Sequence, residues 1–234
     1  TVLPYLSRFL ISDGVDTILG NLLSPVTAIT DLIKNIYDLD IMGLIKGLLY
    51  NIARDMEKSN AAQTAAEYLD QQIDESIASL KDFMKPEFEA LLETVGPNGE
   101  FIDTINGRLI NPGHCIETAW FLLEEAKHRS WDKELTAQAL QILDWSWEWG
   151  WDKQYGGIIN FRDCKNLPPQ DYSQDMKFWW PQTEAIIATL YAYEATGDDK
   201  YLIWHKQISE WTYAHFPDKE FGEWYGYLHR DGTV

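Results

Sequence analysis

Cysteine is scarce in this 234-residue chain, which holds only Cys115 and Cys164. They form no Cys-x-x-Cys pair and have no histidine at metal-ligand spacing. That argues against a disulfide framework or a zinc site and points to a reduced, cytoplasmic setting. Positive charge is also short: 19 Lys and Arg stand against 37 Asp and Glu, for a formal net charge of −18 with no basic cluster. A nucleic-acid backbone would be repelled by such a surface. Long apolar runs are missing too. The most apolar region, 13–53, is broken by Asp31, Lys34, Asp38, Asp40 and Lys46, well short of the roughly 20 uninterrupted apolar residues of a membrane span. It reads as buried helices and not as a span or signal peptide. No GxGxxG, Walker loop, HExxH or GxSxG occurs, so the common nucleotide, zinc-protease and serine-hydrolase signatures are absent.

What is present is a hydrophobic fraction of 45%, enough for one large domain or two small ones. Aromatics make up 14%, with 11 Trp and 12 Tyr, many beside Gly, Asn or Asp. Flat faces with polar tips suit sugar rings; the alternative is that tryptophan simply fills a helical core. Helical periodicity predicts helices near 27–37, 41–57, 60–82, 86–95, 112–128, 132–149, 176–195 and 199–215. Strand signals are confined to three hairpin-like pieces with glycine or Asn-Gly turns, at 99–110, 155–163 and 221–232.

A repeat links these pieces. "WDKQYGG" and "PDKEFGE" share Asp-Lys-x-aromatic-Gly, with Gly156 and Gly222 66 residues apart, and Glu117 and Glu184 take like places 67 apart. A helix–helix–hairpin unit of this length suggests stacked pairs in a toroid or solenoid, since one unit cannot bury its apolar face alone. The first helix of each pair would be inner and the second outer. Such stacking would gather His114, Glu117, Trp179, Trp180, Gln182, Glu184, Glu223 and Trp224 at one mouth.

The segment "INPGHCIETAWFLLEEA" (110–126) opens a helix with an imidazole and a carboxylate on one face. Asn111 suits the N-cap and Pro112 the first turn, where a missing N–H costs nothing. His114 then lies at the positive end of the helix dipole, which disfavours imidazolium and leaves a neutral ring able to accept a proton. Glu117, one turn on, could orient that ring or bind a hydroxyl. The competing reading is a satisfied cap and a glutamate that merely favours a helix N-terminus. "KFWWPQTEA" (177–185) repeats the design with Trp179, Trp180, Gln182 and Glu184, and a packed core helix is its alternative. "FGEWYGYLHRDG" offers Glu223 and Trp224 on a glycine-flanked hairpin that could equally be structural. His128, His205, His215 and His229 read as structural or solvated.

With these residues in view, the chain resembles the N-acylglucosamine 2-epimerase family, also known as renin-binding proteins. The likeness rests on "FMKPEFEALLETVGPNGEFIDTINGRLINPGHCIETAWFLLEEA", "WGWDKQYGGIINFRD", "KFWWPQTEAIIATLYAYEATGD" and "HFPDKEFGEWYGYLHRDGTV", and covers about 83–234. The resemblance implies an all-α fold, an (α/α)6 barrel with short β-hairpins at its mouth, over 59–234, while 1–58 is a helical segment of unclear assignment. It implies epimerisation at C2 of an N-acyl-hexosamine, or aldose–ketose isomerisation or disaccharide epimerisation in related branches. His114, Glu117, Glu184 and Glu223 are the catalytic candidates, and Trp120, Trp179, Trp180, Gln182 and Trp224 the sugar-binding ones. The chemistry requires no cofactor or metal; ATP as an activator and a homodimer follow from the resemblance alone. Gln182 stands where many family members carry a catalytic histidine, and an amide cannot ionise for that task. A second family histidine belongs to a Phe-His-x-Pro-Arg segment beyond the Gly-Glu-Trp hairpin, which the chain does not contain before Val234. With that, and eight helix candidates against twelve, an incomplete barrel is expected in this chain. A non-catalytic sugar- or protein-binding barrel is the reading of a different class.

Overall fold

The computed structural model describes residues 60–234, of which Leu80–Val234 make one compact unit. The helices expected at 27–37 and 41–57, and the segment 1–58 as a whole, lie outside the described residues. Within them, five helices follow in order: α1 (Asn60–Phe83), α2 (Pro112–His128), α3 (Lys133–Gly150), α4 (Trp179–Thr196) and α5 (Asp199–His215). Six two-residue strands accompany them, β1 (Met84–Lys85), β2 (Ala90–Leu91), β3 (Leu109–Ile110), β4 (Arg162–Asp163), β5 (Lys177–Phe178) and β6 (Tyr227–Leu228), paired antiparallel as β1–β2, β3–β4 and β5–β6.

Local chemistry sets the helix ends. The Asn111 side chain accepts the His114 N–H at 3.2 Å, with Pro112 in the first turn. Asp132 caps α3 through the Leu135 N–H, and Asp198 caps α5 through the Lys200 N–H. These side chains satisfy donors that have no intrahelical acceptor. Gly197, at φ 66°, ends α4 in the left-handed conformation that glycine adopts without strain.

α2 packs against both α3 and α4, and α4 packs against α5, so α2 and α4 are the adjacent inner rods of two helical hairpins. Small residues make that contact close: Ala119 and Ala126 of α2 and Ala185, Ala188 and Ala192 of α4 are fully buried. Trp147 of α3 is sandwiched between Trp151, with centroids 5.0 Å apart, and Trp204 of α5, at 4.5 Å. Those tryptophans fill the seam between hairpins, so part of the aromatic excess is core.

The sequence repeat is a structural one. Asp152 Oδ1 accepts the N–H groups of Gln154 and Tyr155, and Asp218 Oδ1 those of Glu220 and Phe221. Each turn closes with a single bridge, Trp151 to Ile158 and Pro217 to Trp224. Each turn has two left-handed positions: Gly156 and Gly157 in the first, at φ 75° and 74°, and Gly222 and Glu223 in the second, at φ 77° and 61°.

Two expectations about local structure are corrected. The stretch 86–95 is not a helix. After one 3-10 turn at Pro86–Phe88, Glu89 turns left-handed at φ 48°, and Ala90–Leu91 pair with Met84–Lys85. A short apolar run has no period of its own to choose helix over strand. Nor do the glycine-rich pieces supply both strands of their sheets. β3 pairs with β4, and β6 with β5, so each sheet joins segments from successive units.

The β5–β6 pair is pinned by a buried charge. Asp152 is 2% exposed and accepts hydrogen bonds from Lys177 Nζ at 3.0 Å and Arg230 Nε at 2.8 Å. Burial by itself would raise the Asp152 pKa, but the bonds from Arg230, Lys177 and the Gln154 N–H outweigh it and hold the carboxyl below its usual range. Burial brings Lys177 down to about 8, against the opposing pull of Asp152. Gln182 forms a second clamp. Wholly buried, its amide accepts the Ile158 N–H at 2.7 Å and donates to the Ile158 and Phe178 carbonyls at 2.8 and 2.9 Å.

Asp152→Asn leaves Lys177 buried without a counter-charge and is expected to lower unfolding free energy by about 3–5 kcal/mol in urea titrations. Because the folded carboxyl titrates below its unfolded value of 3.8, its contribution is full above that pH. The gap between wild type and variant should therefore narrow as pH falls below about 4 towards the lowered folded value. Gln182→Leu strands the buried N–H and carbonyl of Ile158; a loss of about 2–4 kcal/mol is expected from the same titration.

Candidate functional site

The N-termini of α2 and α4 meet side by side. Gly113, the second residue of α2, allows the meeting: a Cβ there would lie 2.6 Å from Trp180 Cη2. One residue later the His114 ring lies against Trp180, with centroids 5.1 Å apart and planes tilted by 30°. Its Nδ1 lies 3.1 and 3.2 Å from the two carboxylate oxygens of Glu93, a residue only 5% exposed. His114 itself keeps 22% of its side chain accessible, so the ring is anchored on one edge and reachable elsewhere.

Further along the same face of α2 come Glu117 and Trp120, at intervals of three, both half-buried. The Trp120 indole N–H donates to Glu184 Oε2 at 2.6 Å, and its ring stacks on Tyr191 with centroids 6.1 Å apart. His114 with Trp180, and Trp120 with Glu184, therefore run as two rungs between the inner helices, with Glu117 between them on the α2 side. Imidazole, carboxylates and aromatic faces along one half-buried strip can transfer a proton, accept hydroxyl hydrogen bonds and stack on a sugar ring.

The remaining expected residues lie differently. Trp179 is 44% exposed at the first position of α4, where its N–H donates to the Gly226 carbonyl. Glu223 is exposed on its turn, and its carbonyl accepts the Asp218 N–H. Trp224 packs on Phe216 and Tyr213, in the cluster built on Trp211, Phe216 and Leu228. Among the described residues no hydrogen bond, ion pair or ring contact joins Glu223 or Trp224 to the His114–Trp180 pair. Gln182, expected to touch sugar, is wholly buried, its amide oxygen accepting the Ile158 N–H and its amide nitrogen donating to the Ile158 and Phe178 carbonyls.

Sequence reasoning missed Glu93. It lies 21 residues before His114, inside the 86–95 segment expected to be helical, and no local spacing connects the two. Cys115, beside the histidine, is no nucleophile. Burial first, and then the Glu93 charge, push its thiol well above the usual range. No group of three or more His, Cys, Asp and Glu among the described residues could hold a metal ion, and no described helix is long and apolar enough to cross a membrane.

Comparison with known proteins bears on family and fold. N-acylglucosamine 2-epimerase from Bos taurus is 43% identical over 147 residues, covering 62% of this chain and 35% of its own length. The Homo sapiens protein of the same name is 41% identical over 147 residues, covering 62% of this chain and 34% of its own length. D-mannose isomerase from Marinomonas mediterranea is 30% identical over 117 residues, covering 50% of this chain and 28% of its own. The chain thus spans about a third of the length of the N-acylglucosamine 2-epimerases it matches. Among solved structures, a D-mannose isomerase matches with a TM-score of 0.60 at 22% identity, over 79% of this chain and 49% of the other. Cellobiose 2-epimerase from Bacillus thermoamylovorans matches with 0.60 at 22%, over 79% and 44%. At these identities the likeness is one of fold: the hairpins of this chain are part of an (α/α)6 barrel. The sequence model of the N-acylglucosamine 2-epimerase (GlcNAc 2-epimerase) family matches residues 42–234, more than three quarters of the chain. This chain belongs to that family.

Proposed function

We propose that this chain contributes the His114 side of the pocket of a sugar 2-epimerase, interconverting N-acyl-D-glucosamine and N-acyl-D-mannosamine in their open-chain forms. The observation that carries the reading is the His114 ring, held between Trp180 and the Glu93 carboxylate in a chain of this family.

The chemistry follows from the carbonyl. A hydrogen on the carbon beside it is acidic enough for a positioned imidazole to remove, giving an enolate, and return of a proton to the opposite face inverts C2. His114 takes or gives that proton on one face. Trp180 and Trp120 offer apolar walls to the chain of the sugar, while Glu117 and Glu184 lie where carboxylates can accept its hydroxyl hydrogens. Inversion also needs a second acid/base group on the other face. Gln182 cannot be that group, because an amide does not ionise in this range and its atoms are engaged by backbone. Proton transfer at C2 needs no phosphoryl group, so ATP, where it acts, acts as an activator and not as a reactant.

A second reading, aldose–ketose isomerisation, is favoured by the similarity to D-mannose isomerase. In D2O an epimerase is expected to place deuterium at C2 of both N-acylhexosamines with no ketose formed, whereas an isomerase yields ketose; NMR of the products decides. His114→Ala is expected to lower C2 exchange by roughly 10²-fold or more. Turnover near the wild-type level would remove His114 from the mechanism.

A further inference from the structure

We infer that Glu93 is a positioning residue for His114: it fixes the Nδ1–H tautomer, so that Nε2 carries the lone pair that meets the substrate proton. The inference rests on the epimerase reading for its kinetic consequence only.

The geometry is specific. Both Glu93 carboxylate oxygens lie within 3.2 Å of Nδ1. An ionised carboxylate only accepts hydrogen bonds, so Nδ1 must be the donor, and the neutral ring then has its acceptor at Nε2. The backbone that carries the carboxylate is tied down on both sides. The Glu93 N–H donates to the Leu109 carbonyl at 3.1 Å, in β3, and the Leu92 N–H donates to the Phe83 carbonyl at 3.0 Å, at the end of α1. On the other side, the His114 N–H is capped by Asn111 and the ring lies against Trp180. The main chain of both partners is therefore fixed, and the His114 ring cannot turn away without leaving Trp180.

The same carboxylate bears on the chemical step. When the C2–H bond breaks, its electron pair enters the enolate and the proton bonds to Nε2, giving an imidazolium. That cation forms 3.1 Å from a buried anion, which stabilises it where water is largely excluded. In the reverse direction, where His114 is the acid on its own face, the Nε2–H bond breaks as the enolate takes the proton, its electron pair stays on nitrogen, and the ring returns to the Nδ1–H form.

The test combines a spectroscopic and a kinetic readout. In wild-type protein with 15N-labelled histidine, the neutral His114 ring should show Nδ1 as the protonated nitrogen. Glu93→Gln keeps the shape but brings an amide that can donate to Nδ1, so the ring should shift towards the Nε2–H tautomer. With N-acyl-D-mannosamine as substrate, kcat should fall about 10²-fold while KM changes by less than about threefold. A purely structural role would move stability and leave this split and the tautomer unchanged. The inference is overturned if the wild-type ring carries its proton on Nε2, a result that needs no variant to fold, or if Glu93→Gln retains wild-type kcat. Wild-type protein that exchanges no C2 proton would defeat the epimerase reading, and the tautomer of its His114 would still decide the role of Glu93.

Discussion

The buried carboxylate of Asp152 is the constraint from which the rest of the arrangement follows. It receives Lys177 from the strand leading into α4, Arg230 from beyond β6, and two N–H groups of its own turn. A buried ion pair adds little net stability, since desolvation offsets much of the attraction, but removing one partner is severe and the geometry is therefore closely specified. Here the geometry held is the register of β5 on β6. With Lys177 and Phe178 committed to that ladder, α4 begins at Trp179, three residues later than its apolar period suggests. That start places Trp180 over Gly113 and against His114.

The site then owes its form to two helices that begin at the same level. A histidine in the first turn of α2 meets an aromatic ring in the first turn of α4, and the rows of side chains below them continue as Trp120 with Glu184. Alanines beneath the rows let the rods approach closely, because they bring neither bulk nor side-chain entropy to the seam. Polar chemistry is confined to the strip while the seam beside it stays dry, which is what a proton transfer at carbon requires of its surroundings.

One turn design recurs, and its variation is informative. Asp152 and Asp218 fold their turns with the same side-chain bonds, yet only Asp152 is sealed by cations from neighbouring segments. Where the first turn uses Gly157 in the left-handed conformation, the second uses Glu223, which bears the strain of a positive φ at an exposed position. The tryptophans divide in a similar way. Trp147, Trp151 and Trp204 stack within the fold, whereas Trp179 is exposed and Trp180 lies half-buried against His114.

Period and capping chemistry are properties of neighbouring residues, so the sequence by itself determined α2, α3, α4 and α5 to within three residues, the Asn111 cap, the 66-residue unit and the candidacy of His114. Contacts made across long separations were decided only by the tertiary structure. Glu93 reaches His114 over 21 residues, β3 finds β4 in the next unit, and 86–95 gives up helix for a strand pair. Gln182 is the sharpest case. Its place in "WWPQTE" suggests a ligand, but the amide is the right length to satisfy the backbone of Ile158 inside the fold, and a buried backbone group without a partner costs more than one polar side chain withheld from a pocket.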